Sequence, residues 1–395
     1  MYITTATMHR FLLLSIIIAI AAPLVGSVPT EARSHKPKQV YKTTHKYPLA
    51  NPGNIPAHDP NIIFHNEHYY LFKGGINIPI LKSANISGPW EELGTVLAGD
   101  SKIKKGNRAR PWAPTTIEKN GTFYCYYTIS AKGSRNSAIG VATTRALDGN
   151  PWTDHGVVIN TGKGPGSKTW PYTITNAIDA SVIVDQGSGQ AYLNYGSFWH
   201  GIWQVPLDDD LLSVKNANGP DAVQLTFMPD EKIRPEEGAW MSFRQGFYYL
   251  WFSHGNCCNF RKGFPKRGKE YSIRVGRSKN VRGPFEDKKG KSLVDGGGTV
   301  VYGSNHGVVY APGGLGVLDA KNDSAPDILY YHYLNTSIGF KHGQAQLGWN
   351  YLDYEDGWPV PFGGQNATAN VALGYGPPSW GYMMMIFGLW LCIYR

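Results

Sequence analysis

HDPNIIFHNEHYYLFKG, residues 58–74, sets the pattern on which the rest of the chain is built. A short polar or acidic opening leads into an apolar strand. A polar turn at Asn66-Glu67 follows, and then a strand rich in aromatics. Four further segments repeat this order: WAPTTIEKNGTFYCYYTIS from Trp112, IDASVIVDQGSGQAYLNYGS from Ile178, EGAWMSFRQGFYYLWFS from Glu237, and a longer one from His306 to Leu334. Their turns, Asn120-Gly121, Gly187–Gly189 and Gln245-Gly246, supply the positive φ angles that tight hairpins need. Additional strand-like pieces at Ile80–Ser83, Ala138–Thr143, Gly201–Val205, Ser272–Gly276 and Gly343–Leu347 follow the five hairpins. A repeat of about 40–50 residues or more that holds four strands is the size of a propeller blade. The sequence therefore predicts an all-β, five-bladed β-propeller over residues 49–362, with no sizeable helix. Gly88-Pro89-Trp90, Pro151-Trp152 and Gly283-Pro284-Phe285 read as blade corners, each locked by a buried aromatic.

Composition agrees. Of 395 residues, 13% are aromatic and only 17% charged, and the 47 Gly and 26 Pro suit many short strands joined by sharp turns rather than a helical bundle. With 42% apolar residues the chain is not a disordered one.

Arg10, the apolar run Phe11–Ala22 and the small residues Gly26 and Ser27 read as a secretion signal over 1–27, followed by a basic leader at 28–48. Asn-X-Ser/Thr sites at Asn85, Asn120, Asn322, Asn335 and Asn366 fit an extracellular protein. The tail, 363–395, ends in the apolar run Met383–Ile393. It reads as an anchor signal, which would bring membrane contact, or as a mistaken gene model. Four cysteines do not make a disulfide scaffold or a zinc site. The adjacent Cys257 and Cys258 are either two small buried side chains or a vicinal disulfide. The net charge of +9 is concentrated in 102–110, 261–269 and 277–291. No nucleic-acid-binding motif accompanies it, so an acidic polysaccharide such as pectin is the more plausible counterpart, with ordinary solvated loops as the alternative.

Propeller geometry gives the acids their meaning. The innermost strands line the central axis, so residues at their starts converge at one mouth. Asp59, Asp179 and Glu237 are expected there, from three different blades. Clustered carboxylates raise one another's pKa, which lets one stay protonated while another is ionised. Two such groups flanking a glycosidic bond are the minimal machinery of glycoside hydrolysis. The neighbouring Glu236 is expected to point away, because side chains alternate along a strand.

Read in order, His58-Asp59-Pro60, Trp112-Ala113-Pro114, NSAIG at 136–140, NAID at 176–179, SFW at 197–199, Glu237-Gly238-Ala239, Cys257-Cys258 and VGRS at 275–278 resemble the family-43 glycoside hydrolases, and within them the endo-1,5-α-L-arabinanases. The resemblance implies inverting cleavage of linear arabinan by a secreted monomer, with Asp59 as general base, Glu237 as general acid and Asp179 tuning that acid. It implies sugar subsites bordered by His58, Gly133, Asn176, Ala177, Ile178, Ser197, Phe198 and Trp199. Trp112 either stacks on sugar or packs in the core. It also implies calcium in the channel near His306, although calcium ordinarily takes oxygen ligands. An exo-acting arabinofuranosidase or β-xylosidase on the same propeller, and a sugar-binding propeller without activity, are the rival readings.

Overall fold

The computed structural model describes residues 54–362 apart from 150, 306 and 321–324. Five four-stranded antiparallel sheets follow one another along the chain. Their first strands are Asn61–His65, Trp112–Lys119, Ser181–Val184, Glu236–Arg244 and Val309–Leu318. Each of these touches the first strand of both neighbouring sheets, and the fifth touches the first. That closed ring of inner strands is a five-bladed β-propeller. Among the described residues the helical content is three single-turn 3₁₀ segments, and no helix is long and apolar enough to cross a membrane. The signal, the leader and the apolar tail expected at 1–27, 28–48 and 363–395 lie outside the described residues.

Local chemistry explains the hairpins. Asn66 and Glu67 both have positive φ, as do Asn120-Gly121, Gln245-Gly246 and Asp356-Gly357. Each pair is a two-residue connection, between His65 and His68, Lys119 and Thr122, Arg244 and Phe247, and Glu355 and Trp358. Positive φ at both central positions matches the right-handed twist of the strands it joins.

The apolar core lies between blades rather than inside one. One cluster joins Phe72 and Ile80 of blade 1 to Phe123 and Tyr127 of blade 2. Another joins Tyr249 and Trp251 of blade 4 to Val317 and Tyr331 of blade 5. Central strands are thus buried on both faces, and they read as unbroken aromatic runs such as Phe247–His254. The corner aromatics behave as expected: Phe285 is buried, and Trp90 and Trp152 pack against the seams. The ring is closed by the segment before blade 1, where Ala57 N donates to Ala345 O and Leu347 N to Ile55 O on the third strand of blade 5.

Candidate active site

All five inner strands carry the same irregularity, which in blade 5 follows a further bulge between Tyr310 and Gly313. In blade 2, Trp112 pairs with Thr128 and Thr115 with Tyr126, so Ala113 and Pro114 together face one residue. The same two-against-one bulge lies between Glu237 and Trp240 in blade 4 and between Gly313 and Gly316 in blade 5. Blades 1 and 3 show it just before the strand, where Gly74 N bonds His58 O and Gly196 N bonds Ile178 O. The residue after the last paired one has positive φ in every case: Asp59 at 48°, Ala113 at 39°, Asp179 at 57°, Gly238 at 62° and Gly314 at 55°. Three of these residues donate their backbone N–H to the second strand of the preceding blade: Asp59 to His332 Nδ1, Asp179 to Thr128 Oγ1 and Gly314 to Ser253 Oγ. Bulges bend a strand and re-aim its side chains, and here they turn the openings of the blades toward the axis.

This register corrects the sequence alignment. Asp59 and Asp179 are equivalent, but Glu237 stands one residue earlier, at the position of His58, Trp112 and Ile178. In blade 5 the two positions are Gly313 and Gly314, not His306, which lies outside the described residues. A Cβ on Gly314 would collide with Asp59 Oδ1 and His332, and one on Gly313 with the ring of Tyr271. Blade 5 contributes empty space where the others contribute side chains.

The three acids share one cleft of about 1380 Å³. His58, Trp112, Gly133, Asn176, Ile178, Ser197, Phe198 and Trp199 also line it. Ala177 does not; it is fully buried in the seam between blades 2 and 3 and donates its amide to Thr161 Oγ1. Its side chain turns inward because its neighbours Asn176 and Ile178 face the cleft. Trp112 is half-buried on the cleft wall. Phe198 and Trp199 carry positive φ, at 52° and 24°. That turn is tied to blade 4, with Phe198 N donating to Glu236 O and Arg234 to Trp199 O. Backbone held in such sparsely populated regions concentrates at functional sites.

The electrostatic settings of the acids differ. Burial works to raise Asp59, but His58, with Nδ1 3.0 Å from Oδ2, and His332 outweigh it and hold the carboxyl well below its usual range. The His58 contact is the stronger ground, because His332 Nδ1 already accepts the Asp59 amide and so faces the carboxylate as an acceptor. Burial pushes the His332 imidazole down to about 4, consistent with a neutral ring. Burial and the negative charges of Glu237 and Asp59 raise Asp179 well above its ordinary value. Burial, with Asp59 adding to it, also raises Glu237, against hydrogen bonds that favour its charge. Ser197 Oγ donates to Glu237 Oε2 at 2.7 Å, and the Tyr271 hydroxyl to Oε1 at 3.1 Å. Gly238 N donates to Asp179 Oδ2 at 3.1 Å, which ties the two openings together. Asp59 is thus lowered while its neighbours Asp179 and Glu237 are both raised. Glu236 points away from the cleft as expected: fully buried, it accepts from Thr226 Oγ1 at 2.8 Å, and burial lifts its carboxyl to about 7.

Tyr271 and His342 on the cleft wall, and His332 behind it, were not anticipated. His58 stacks between His332 and His342, with ring centroids 4.1 and 3.8 Å away. Tyr271 stands at the start of the third strand of blade 4, and His332 lies within the aromatic run of blade 5; neither sits in a motif. Cys257 and Cys258 form a disulfide on the cleft wall, which settles the two readings of that pair.

Calcium requires about six to eight oxygen ligands. Among the described residues, His58, Asp59 and His332 bring ligand atoms within 4.8 Å of one another, but two of the three are imidazoles. The other trio, His58, His342 and Cys258, includes a sulfur already bonded to Cys257. These residues do not fit calcium through protein ligands, since water would have to supply most of the shell.

One carboxyl held below its ordinary range and another raised above it, facing one cleft of a propeller, are the chemistry of a glycoside hydrolase. The model of the Glycosyl hydrolases family 43 matches residues 51–359, and the chain belongs to that family. A relative from Emericella nidulans, "Probable arabinan endo-1,5-alpha-L-arabinosidase D", is 58% identical over 337 residues, covering 85% of this chain and 87% of its own. "Arabinan endo-1,5-alpha-L-arabinosidase B" of the same species is 46% identical over 345 residues, covering 80% and 85%. Among solved structures, Cellvibrio cellulosa α-L-arabinanase complexed with arabinohexaose is similar with a TM-score of 0.67 and 26% identity, covering 78% of this chain and 96% of that one. An exo-1,5-α-L-arabinanase from a bovine ruminal metagenomic library has a TM-score of 0.68 and 27% identity, covering 80% and 99%.

Proposed function

We propose that this protein is an endo-acting arabinanase that cleaves α-1,5-L-arabinofuranosidic bonds with inversion. The observation that carries the mechanism is the opposite setting of two cleft carboxyls: Asp59 held ionised by His58, Glu237 raised by burial and by Asp59. The names of the curated relatives support the substrate and the endo action.

Water attacks the anomeric carbon from the side opposite the leaving oxygen, and Asp59 takes its proton. The bond from that carbon to O5 of the next arabinose breaks as Glu237 donates its proton to O5. One water is consumed, and solvent returns the proton from Asp59 to Glu237. Ser197 and Tyr271 hold the Glu237 carboxyl in place through its two oxygens. Asp179, itself raised by burial and by Glu237, is coupled to it, and each carboxyl makes ionisation of the other harder. Room for the attacking water requires the Asp59 and Glu237 carboxyls to stand about 6.5–9.5 Å apart. Trp112, Phe198 and Trp199 offer apolar faces to sugar rings. Secretion follows from the reading of the first residues, and Asn85 and Asn120 are exposed on the propeller where a glycan has space.

Debranched linear arabinan tests the reading. Mixed oligosaccharides are the expected early products; arabinose alone from the first minutes assigns the exo mode instead.

A further inference from the structure

Arabinan is a neutral polymer, and the acids that line the cleft are the three at its floor. The mouth is different. Arg110, Lys132, Lys232, Lys262 and Lys341 line it, and all five are exposed. They come from five separate loops. Arg110 lies between blades 1 and 2, Lys232 between blades 3 and 4, and Lys132, Lys262 and Lys341 between the second and third strands of blades 2, 4 and 5. No carboxylate of a described residue stands in ion-pair range of any of them, whereas surface cations elsewhere do pair: Lys82 with Asp148, Lys269 with Glu231 and Arg282 with Asp221. The other two basic residues of the cleft are already engaged, Lys73 with Pro56 O and Arg234 with Trp199 O. Two of the basic stretches noted in the sequence, 102–110 and 261–269, thus each place a residue at the cleft mouth, Arg110 and Lys262.

Like charges gathered around a concave mouth repel one another and focus the field into it. Neutral sugar hydroxyls do not need that field; asparagine, serine or tryptophan would serve them. A chain of carboxylates does. We propose that the rim binds the uronate residues of an acidic polysaccharide to which the arabinan is attached. The charged backbone lies across the mouth while its neutral branch enters the floor. The proposal rests on the arabinan-cleaving reading and deepens it by naming the polymer that presents the branch.

The test uses three substrates and one variant of the full chain. The substrates are neutral linear arabinan, arabinan still joined to a uronate-bearing backbone, and the latter after reduction of its carboxylates to alcohols. The variant is the triple substitution Lys132→Gln, Lys232→Gln, Lys262→Gln. Exposed charges are largely screened once the Debye length falls to about 10 Å or less, near about 0.1 M salt. Raising salt from about 20 to about 300 mM should therefore lower kcat/KM on the uronate-bearing substrate at least about fivefold, and leave it unchanged on the other two. The triple variant should match the native protein on neutral arabinan and lose the salt-sensitive part on the acidic one. Affinity electrophoresis through a gel containing polygalacturonate reads binding without activity: the native protein should be retarded and the variant should not. No salt effect, an equal effect on the carboxyl-reduced substrate, or equal retardation of the two proteins overturns the proposal. Failure to cleave neutral linear arabinan sinks the underlying reading instead, and the gel still decides whether the rim binds polyuronate.

Discussion

Blades 1 and 4 open with the same bulge but put their acids one residue apart. In blade 1 the acid is the positive-φ residue itself, Asp59, with His58 before it as a partner for its charge. In blade 4 the positive-φ position is Gly238, and the acid precedes it, where it accepts from the hydroxyls of Ser197 and Tyr271. One backbone device thus gives two chemical environments. The first stabilises an anion beside imidazole; the second holds a carboxyl among hydroxyls and beside other acids. The division of labour proposed for the acids rests on this offset and not on their being equivalent copies.

The comparison breaks most visibly when either acid is neutralised. Glu237→Gln and Asp59→Asn should each lower kcat on arabinan about a hundred- to ten-thousand-fold. They should differ on an arabinofuranoside with an activated aryl leaving group, which needs little protonation. That substrate should restore much of the rate to Glu237→Gln and none to Asp59→Asn, as initial rates would show.

A smaller effect separates two glycines that share the backbone angle but not the surroundings. A Cβ on Gly314 collides with Asp59 and His332, whereas one on Gly238 presses Ser253 Oγ, at 3.2 Å, and otherwise makes ordinary contacts at 3.8 Å with Gly314 Cα and the Tyr271 hydroxyl. Both Gly→Ala variants should lose about 1 kcal/mol of stability from the positive φ. Gly314→Ala should lose about tenfold or more in kcat beyond Gly238→Ala, because a misplaced general base is costly. Equal rates would mean that blade 5 leaves its space for another reason.

The pH dependence should shift in opposite directions for two neighbours of Glu237. Activity needs this acid protonated, so its pKa sets the alkaline limb of kcat/KM. Tyr271→Phe removes a hydrogen bond that favours the charged form; the pKa rises and the limb moves to higher pH. Asp179→Asn removes the carboxyl coupled to Glu237, so Glu237 no longer ionises against a second acid; the pKa falls and the limb moves to lower pH. Profiles of the two variants beside the native enzyme check both signs.

Smallest of all is the effect on catalysis at Glu236, next to the acid in sequence but facing the protein interior. Glu236→Gln should keep activity within about twofold, as a substitution away from the reacting atoms. Its signature is in stability. The fold holds this carboxyl at about 7, above its ordinary 4.5, so folded protein binds the proton more tightly than unfolded chain. Native stability from this group is full below about 4.5, falls as pH rises toward about 7 and is level beyond. The glutamine variant should lack that fall, and thermal unfolding at pH 5 and pH 8 measures it.

The fold was legible because its determinants are local and repeated. Paired positive-φ turns such as Asn120-Gly121 and unbroken aromatic strands such as Phe247–His254 mark blades 1, 2, 4 and 5, and a Gly-rich loop marks blade 3. The acids were legible as residue types, but their register was not. The repeat is anchored by a positive φ that falls on Asp59, Ala113 and Asp179 as readily as on Gly238, and nothing in those side chains announces it. His332 escaped notice because it lies in a strand whose aromatic composition matches that of the core, and Tyr271 because it stands alone before the strand Ser272–Ser278, outside any motif. Ala177 was assigned to the cleft along with its motif, although alternation along the chain turns it into the seam.

The central claim is that Asp59 activates water while Glu237 protonates the leaving oxygen, and it has a stereochemical consequence. Proton NMR of the anomeric signals during the first minutes of arabinan cleavage reads it directly. Inversion predicts that the newly formed reducing end appears first as the β anomer and then mutarotates toward equilibrium. A first product in the α configuration would mean that a carboxylate attacks the sugar itself, at a separation of about 5–5.5 Å from its partner, and would contradict the assignment of Asp59 as a base.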